Sequence, residues 1–267
     1  MAVLVKFLYN VKGMITGHYS RAWMMAILII VCAGFTWPGQ HRVTIFLVGD
    51  STMADKPYQG SNPERGWGQV LPLYVDGSVD VENHALNGRS AKSFRAEGHW
   101  EKVRGDIKPG DYVIIEFGHN DQKEDSPERY ADPAVEFPAQ LRQYVIDVRA
   151  EGGFPVLATP IVRRKFDERG YLLETHGRYP DAVREVAQTE EVPLLDMHAR
   201  TRELLLEWGP EKSKVLFLHL LPGQYRAMPE GAADDTHLSG TGAFKLCDLA
   251  VAEIKRLLPE LAPRFKP

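Results

Sequence analysis

From residue 43 onward the chain alternates short, β-rich apolar runs with longer stretches whose apolar positions recur every three or four residues. "VTIFLV" (43–48), "VDVENHA" (79–85), "YVIIEF" (112–117), "FPVLAT" (154–159) and "VPLLD" (192–196) predict strands. "FPAQLRQYVIDVRAEGG" places Leu141, Tyr144, Val145 and Val148 at helical spacing and stops at a Gly-Gly pair. "RYPDAVREVAQTEE" and "GAFKLCDLAVAEIKRLL" follow the same period. Strand, helix, strand repeated in this way predicts an α/β fold with a parallel sheet covered on both faces, because each parallel crossover needs a helix and winds right-handedly. The runs at 43–48 and 112–117 are almost continuously apolar, as central buried strands are. In such a sheet a ligand lies beyond the carboxyl ends of the strands, so the residues after each strand are where chemistry is sought.

The first 40 residues follow a different pattern. Lys6, Lys12 and Arg21 stand ahead of "AWMMAILIIVCAGF", with no acid among them. A basic stretch followed by an apolar one reads as an export signal. Ala22 to Phe35 is shorter than the ~20 apolar residues a bilayer crossing needs, which makes a retained anchor the second choice. Residues 1–40 are therefore expected to be a signal peptide or N-terminal anchor, and 41–267 one globular domain. The protein is expected to be exported, to touch membrane only through that segment, and to be a monomer.

Composition narrows the function further. The chain has 267 residues, is 44% hydrophobic and carries a formal charge of −4, which becomes −7 once the three positive charges of the leader are removed. An acidic body argues against general nucleic-acid binding. Only Cys32 and Cys247 occur and Cys32 lies in the leader, so the body has no partner for a disulfide; Cys247 reads as a small core residue.

Gly49-Asp50-Ser51 follows the first predicted strand, "LNGRSAKSF" (86–94) the second, and Gly118-His119-Asn120-Asp121 the third. "ADDTHLSGTGA" comes after the fifth, with Asp234 three residues before His237. If that stretch is a turn or the first turn of a helix, the two side chains share one side and the carboxylate can hold the imidazole by its Nδ1–H. Each piece alone fits an ordinary turn or helix cap. Together they supply an acyl-transfer site: Ser51 to attack, His237 as general base, Asp234 to fix its tautomer, and the N–H groups of Ser51 and Gly88 with the amide of Asn120 as oxyanion donors. The Gly-x-Ser-x-Gly elbow of α/β-hydrolases is absent.

"GDST", the Gly88 block, "GHND" and "DDTH" resemble the four blocks of the SGNH, or GDSL, hydrolase superfamily. "ALNGRSAKSF", "EFGHNDQK", "TPIVRRKFDERG" and "LPGQYRAMPEGAADDTHLSGTGA" are similar to the rhamnogalacturonan acetylesterases, carbohydrate esterase family twelve. The resemblance covers residues 43 to 255 and implies a flavodoxin-like three-layer sandwich with about five parallel strands. It also implies an acetylesterase acting on pectin's rhamnogalacturonan backbone, with Ser51, Asp234 and His237 as the triad and Ser51, Gly88 and Asn120 as the oxyanion hole. No cofactor is expected. A metal held by His119, Asp121, Asp234, Asp235 and His237 lacks any ligand-spaced motif.

The run Arg163-Arg164-Lys165 follows the fourth strand, and Arg163 and Arg164 are candidates for galacturonate carboxylates. Tyr58, Trp67, Trp100 and Tyr225 are candidates for sugar stacking, with packing the commoner fate of such rings. His84 reads as a satisfied interior residue, and Asp50 as the residue holding its turn.

Overall fold

The computed structural model describes residues 42–267, so the leader read at 1–40 lies outside the described residues. Among them, no helix is long and apolar enough to cross a membrane. Five parallel strands, β1 (Val43–Gly49), β2 (Val79–Asn83), β3 (Tyr112–Glu116), β4 (Phe154–Ala158) and β5 (Leu194–Leu195), form one sheet in the order β2-β1-β3-β4-β5. This is the flavodoxin-like order, and the direction of winding reverses between β1 and β3.

Alternation along the strands builds two cores. Ile45 and Leu47 of β1, Ile114 of β3 and Val156 of β4 face one side; Phe46, Val48, Val113, Ile115 and Leu157 face the other. The first face is covered by α1 (Trp67–Val70), α6 (Met197–Lys212, broken at Gly209 and Pro210) and α7 (Gly240–Leu257). The second is covered by α2 (Ala91–Ala96), α3 (His99–Asp106), α4 (Glu136–Ala150) and α5 (Tyr179–Thr189). Leu141, Tyr144, Val145 and Val148 are all buried from α4, the face the periodicity marked. Cys247 is fully buried on α7.

Three details differ from the sequence reading. β2 stops at Asn83, so His84 lies beyond it, part-exposed, stacked on Phe46 at 5.8 Å and 3.3 Å from Glu82, rather than satisfied in the interior. β5 shrinks to two residues because it is an edge strand paired only with β4. A further antiparallel pair, β6 (Phe217–Leu220) and β7 (Ala232–Leu238), is present, and β7 contains the Asp-x-x-His stretch, for which a turn or the first turn of a helix was expected.

Candidate active site

β1 ends at Gly49, whose register partner on β3 is Glu116. A Cβ at Gly49 would stand 2.7 Å from the Glu116 carbonyl oxygen, so only glycine lets the chain pass here. The next turn is closed by the Asp50 carbonyl, which accepts from the Met53 and Ala54 N–H groups at 3.3 and 3.1 Å. Ser51 rides on that turn at the carboxyl end of a central strand, beside the winding reversal, and is 8% exposed.

Beneath it lies a polar network. Asp50 Oδ1 accepts from the Thr52 N–H at 3.0 Å, as expected for a residue holding its turn, and its Oδ2 lies 3.1 Å from His119 Nδ1. Thr52 Oγ1 sits 2.9 Å from Asp50 Oδ1 and 2.8 Å from Glu116 Oε1, while the Trp67 indole N–H donates to Glu116 Oε2 at 2.9 Å. One hydroxyl proton cannot serve two carboxylates. Burial, reinforced by the Asp50 charge, pushes Glu116 up to about 8. Burial also works against the Asp50 carboxylate, but the His119 ring, the Thr52 N–H and the Thr52 hydroxyl outweigh it and hold Asp50 below its ordinary value. Glu116 therefore keeps its proton and donates to Thr52, which donates to Asp50. The sequence signal for this was a lone acid inside the apolar run "YVIIEF".

His237 reaches Ser51 by an irregularity in β7. Leu218 pairs with Asp234 and Phe217 with Leu238, so Asp235, Thr236 and His237 loop out of the ladder. In a regular strand the side chains of residues i and i+3 point to opposite faces. Here Asp234 Oδ1 accepts the N–H groups of Thr236 at 2.7 Å and His237 at 2.9 Å and bends the chain back. His237 Nδ1 then lies 2.7 Å from Asp234 Oδ2, and its Nε2 lies 3.0 Å from Ser51 Oγ. An Nδ1–H donated to the carboxylate leaves Nε2 free to accept the serine proton.

The charges fit this order. The hydrogen bond from His237 and its positive charge, with the two backbone N–H groups, outweigh burial and hold Asp234 at about 2. The Asp234 hydrogen bond, opposed by burial, raises His237 above the ordinary imidazole value.

The two proposed oxyanion donors after β2 and β3 are tied to one another. Gly88 adopts φ +74°, a left-handed conformation that glycine takes without penalty. Asn120 is buried and its amide donates to the Arg89 carbonyl at 3.0 Å, which leaves its second N–H free of that bond. Asp121 accepts from the Ala91 N–H at 2.8 Å, and burial pushes its carboxyl up to about 8. That tether links the Gly88 loop to the Asn120 loop. Among the described residues, the backbone N–H groups of Ser51 and Gly88 meet no protein acceptor.

Other candidates separate. Arg163 is part-exposed, donates to the His119 and Thr175 carbonyls at 3.2 and 3.1 Å, and lines a cavity of about 540 Å³ with Lys165, Thr175, Ala233, Asp234, Asp235 and Thr236. Arg164 is 7% exposed and holds Asp235 at 2.9 Å and the Pro210 carbonyl at 2.6 Å, so its guanidinium braces the His237 loop instead of facing that cavity. Trp67 and Trp100 are fully buried, with the Trp100 indole donating to Asp147 at 2.8 Å, which ends their candidacy as stacking surfaces. Tyr58 is 70% exposed, with the Arg65 guanidinium 4.2 Å from its ring centre. Tyr225 lines a second cavity with Arg65, His219 and Ser239. His119, Asp121, Asp234, Asp235 and His237 do not gather around one point: His119 pairs with Asp50, Asp121 with Ala91, Asp235 with Arg164 and His237 with Asp234.

Residues 47–243 match the model of the GDSL-like lipase/acylhydrolase family. The chain is 39% identical over 215 residues to a rhamnogalacturonan acetylesterase of Bacillus subtilis, covering 80% of this chain and 90% of that one. It is 47% identical over 84 residues to a rhamnogalacturonan acetylesterase of Emericella nidulans, covering 32% and 31% respectively. Among solved structures, the Bacillus subtilis protein YxiM superposes with a TM-score of 0.69 at 31% identity, over 80% of this chain and 56% of that one. An acetylxylan esterase of Geobacillus stearothermophilus shares the fold at a TM-score of 0.57 and 21% identity, over 79% and 94% of the two chains. A serine at the end of β1 hydrogen-bonded to a histidine just ahead of the last long helix, on a five-stranded parallel sheet that matches the family model over most of its length, places this chain in the GDSL-like lipase/acylhydrolase family.

Proposed function

We propose that the protein is a carbohydrate acetylesterase that removes O-acetyl groups from rhamnogalacturonan through an acetyl-enzyme on Ser51. The observation that carries the mechanism is the relay of 3.0 and 2.7 Å from Ser51 through His237 to Asp234. The 39% identity to a rhamnogalacturonan acetylesterase supports the substrate.

His237 Nε2 takes the serine proton as Oγ forms a bond to the acetyl carbonyl carbon. The developing oxyanion is held by the Ser51 and Gly88 N–H groups and the Asn120 amide. His237 then returns the proton to the sugar oxygen as the acyl–oxygen bond breaks. Water, deprotonated by the same ring, attacks the acetyl-enzyme and releases acetate and free Ser51. Asp234 keeps Nε2 as the acceptor in both halves. Arg163, facing the cavity beside Asp234, is positioned to pair with a galacturonate carboxylate. A polymeric substrate of this kind fits export through residues 1–40, which an N-terminal sequence of the secreted protein would test.

Acetate release from acetylated rhamnogalacturonan, acetylated xylan and p-nitrophenyl esters tests the reading. Rhamnogalacturonan should be the best polymer, and Ser51→Ala should lower turnover about 10⁴-fold or more. Preference for octanoate over acetate esters would overturn the carbohydrate assignment. Full activity in Ser51→Ala would overturn the mechanism.

A further inference from the structure

Glu174 and His176 lie in the segment joining β4 to α5, and His198 is the second residue of α6, directly after the edge strand β5. One ring nitrogen from each histidine and one Glu174 oxygen all lie within 4.8 Å of one another. His176 is fully buried and His198 is 6% exposed, yet the Nε2 of each has no hydrogen-bond partner. A buried imidazole nitrogen left unpaired is costly, and core histidines are ordinarily satisfied.

The spacing suits ligands better than hydrogen bonds. His198 Nε2 stands 3.4 Å from Glu174 Oε2 and His176 Nδ1 stands 4.0 Å from Glu174 Oε1, both long for a hydrogen bond. His176 Nδ1 also lies 3.3 Å from the Thr175 hydroxyl, so the unpaired nitrogen of that ring is Nε2. Two ligands about 2.0–2.1 Å from a tetrahedral metal are separated by roughly 3.4 Å. The two rings are nearly perpendicular with centres 5.5 Å apart, which keeps them from stacking face to face. The backbone N–H of His176 donates to Glu174 Oε1 at 2.6 Å and steadies the carboxylate, whose side chain is 52% exposed and gives a path from solvent. Among the described residues a second close group, Asp50, Glu116 and His119, also holds a buried imidazole with an unpaired Nε2, but its two carboxylates are already taken up by Thr52, Trp67 and His119 Nδ1 and it is wholly buried, with no exposed ligand such as Glu174 to admit an ion.

We infer that Glu174, His176 and His198 form a divalent transition-metal site of the zinc type, with two imidazoles, one carboxylate and an open position for water. None of the three belongs to the Ser51–His237–Asp234 relay, so the metal acts as a clip. It joins the β4–α5 segment to the start of α6, and Thr175, between two of its ligands, carries the carbonyl that holds Arg163 at 3.1 Å. Imidazole and carboxylate ligands favour Zn²⁺ or Co²⁺ over Mg²⁺ or Ca²⁺.

The test strips the whole protein with a chelator, desalts it and titrates it with ZnCl₂ and CoCl₂, reading metal content, calorimetric stoichiometry and the visible Co²⁺ spectrum. One Zn²⁺ per chain is expected, with a thermal midpoint that rises on binding. Glu174→Gln, a half-exposed position that leaves the fold intact, should weaken binding at least about tenfold, the loss that even an outer partner of a metal ligand costs. His198→Ala should abolish it, while His237→Ala retains it. Failure of the wild type to take up stoichiometric Zn²⁺ or Co²⁺ would overturn the site. So would unchanged affinity in Glu174→Gln, or loss of the metal in His237→Ala.

Discussion

Ser51 and His237 are 186 positions apart in sequence and 3.0 Å apart in space, and that single distance depends on a carboxylate doing two jobs. Asp234 shapes the loop with Oδ1 and orients the ring with Oδ2. Because the Asp234 hydrogen bond raises His237 above the ordinary imidazole value and the proposed reaction needs the neutral ring, kcat/KM should fall as pH drops through a pKa above 6.5. Asp234→Asn removes the raising charge, so the acid limb should move to lower pH while kcat drops about 10⁴-fold. A pH–rate profile with an unmoved acid limb would contradict the assignment. Glu116 gives a second prediction at this scale. Since it is protonated and donates to Thr52 while accepting from Trp67, Glu116→Gln can reproduce both bonds and should leave stability and turnover nearly unchanged. Glu116→Ala, which leaves both partners unpaired in a buried site, should cost about 2–4 kcal/mol in urea unfolding.

At the scale of elements, β1 and β3 were legible because strands buried on both faces are almost continuously apolar, and α4 because its apolar positions keep the helical period. β6 and β7 were not: "AADDTHL" lacks alternation and carries four polar residues in a row, and it becomes extended only by pairing with β6 and by the hold of Arg164 on Asp235. For the same reason the Asp-x-x-His pair sits on a looped strand where a turn or helix start was expected. The helix begins later, at Gly240, with Ser239 as its cap accepting from the Gly242 N–H at 3.1 Å. Ser239→Ala should therefore lower the unfolding free energy by about 1 kcal/mol. Since the cap lies two residues from His237, turnover measured on the same variant reports whether the helix start also sets the ring.

Across the described residues, the five-stranded sheet carries a core on each face, and the two cores share the same strands. Leu47 on one face and Leu157 on the other are each fully buried. Truncating either to alanine should cost about 2–5 kcal/mol, and both variants should still unfold in a single transition seen alike by fluorescence and circular dichroism. Two separated transitions would show that the faces unfold independently. The family and the parallel sandwich expected from the motifs are those found, because strand burial and the glycine at the end of β1 leave their marks in composition.

The amino-acid order by itself determined which stretches are strands of a buried parallel sheet and which residues follow them, since apolar period and local turn chemistry are short-range properties. It also carried Ser51, Gly88, Asn120, Asp234 and His237 as a proposed set, because each belongs to a recognisable local block. Only the tertiary structure decided that Arg164 braces a loop while Arg163 faces a cavity, that Glu116 keeps its proton, and that Glu174, His176 and His198 meet. Those outcomes turn on burial and on distances between residues far apart in the chain. Neither quantity is encoded in any window of sequence.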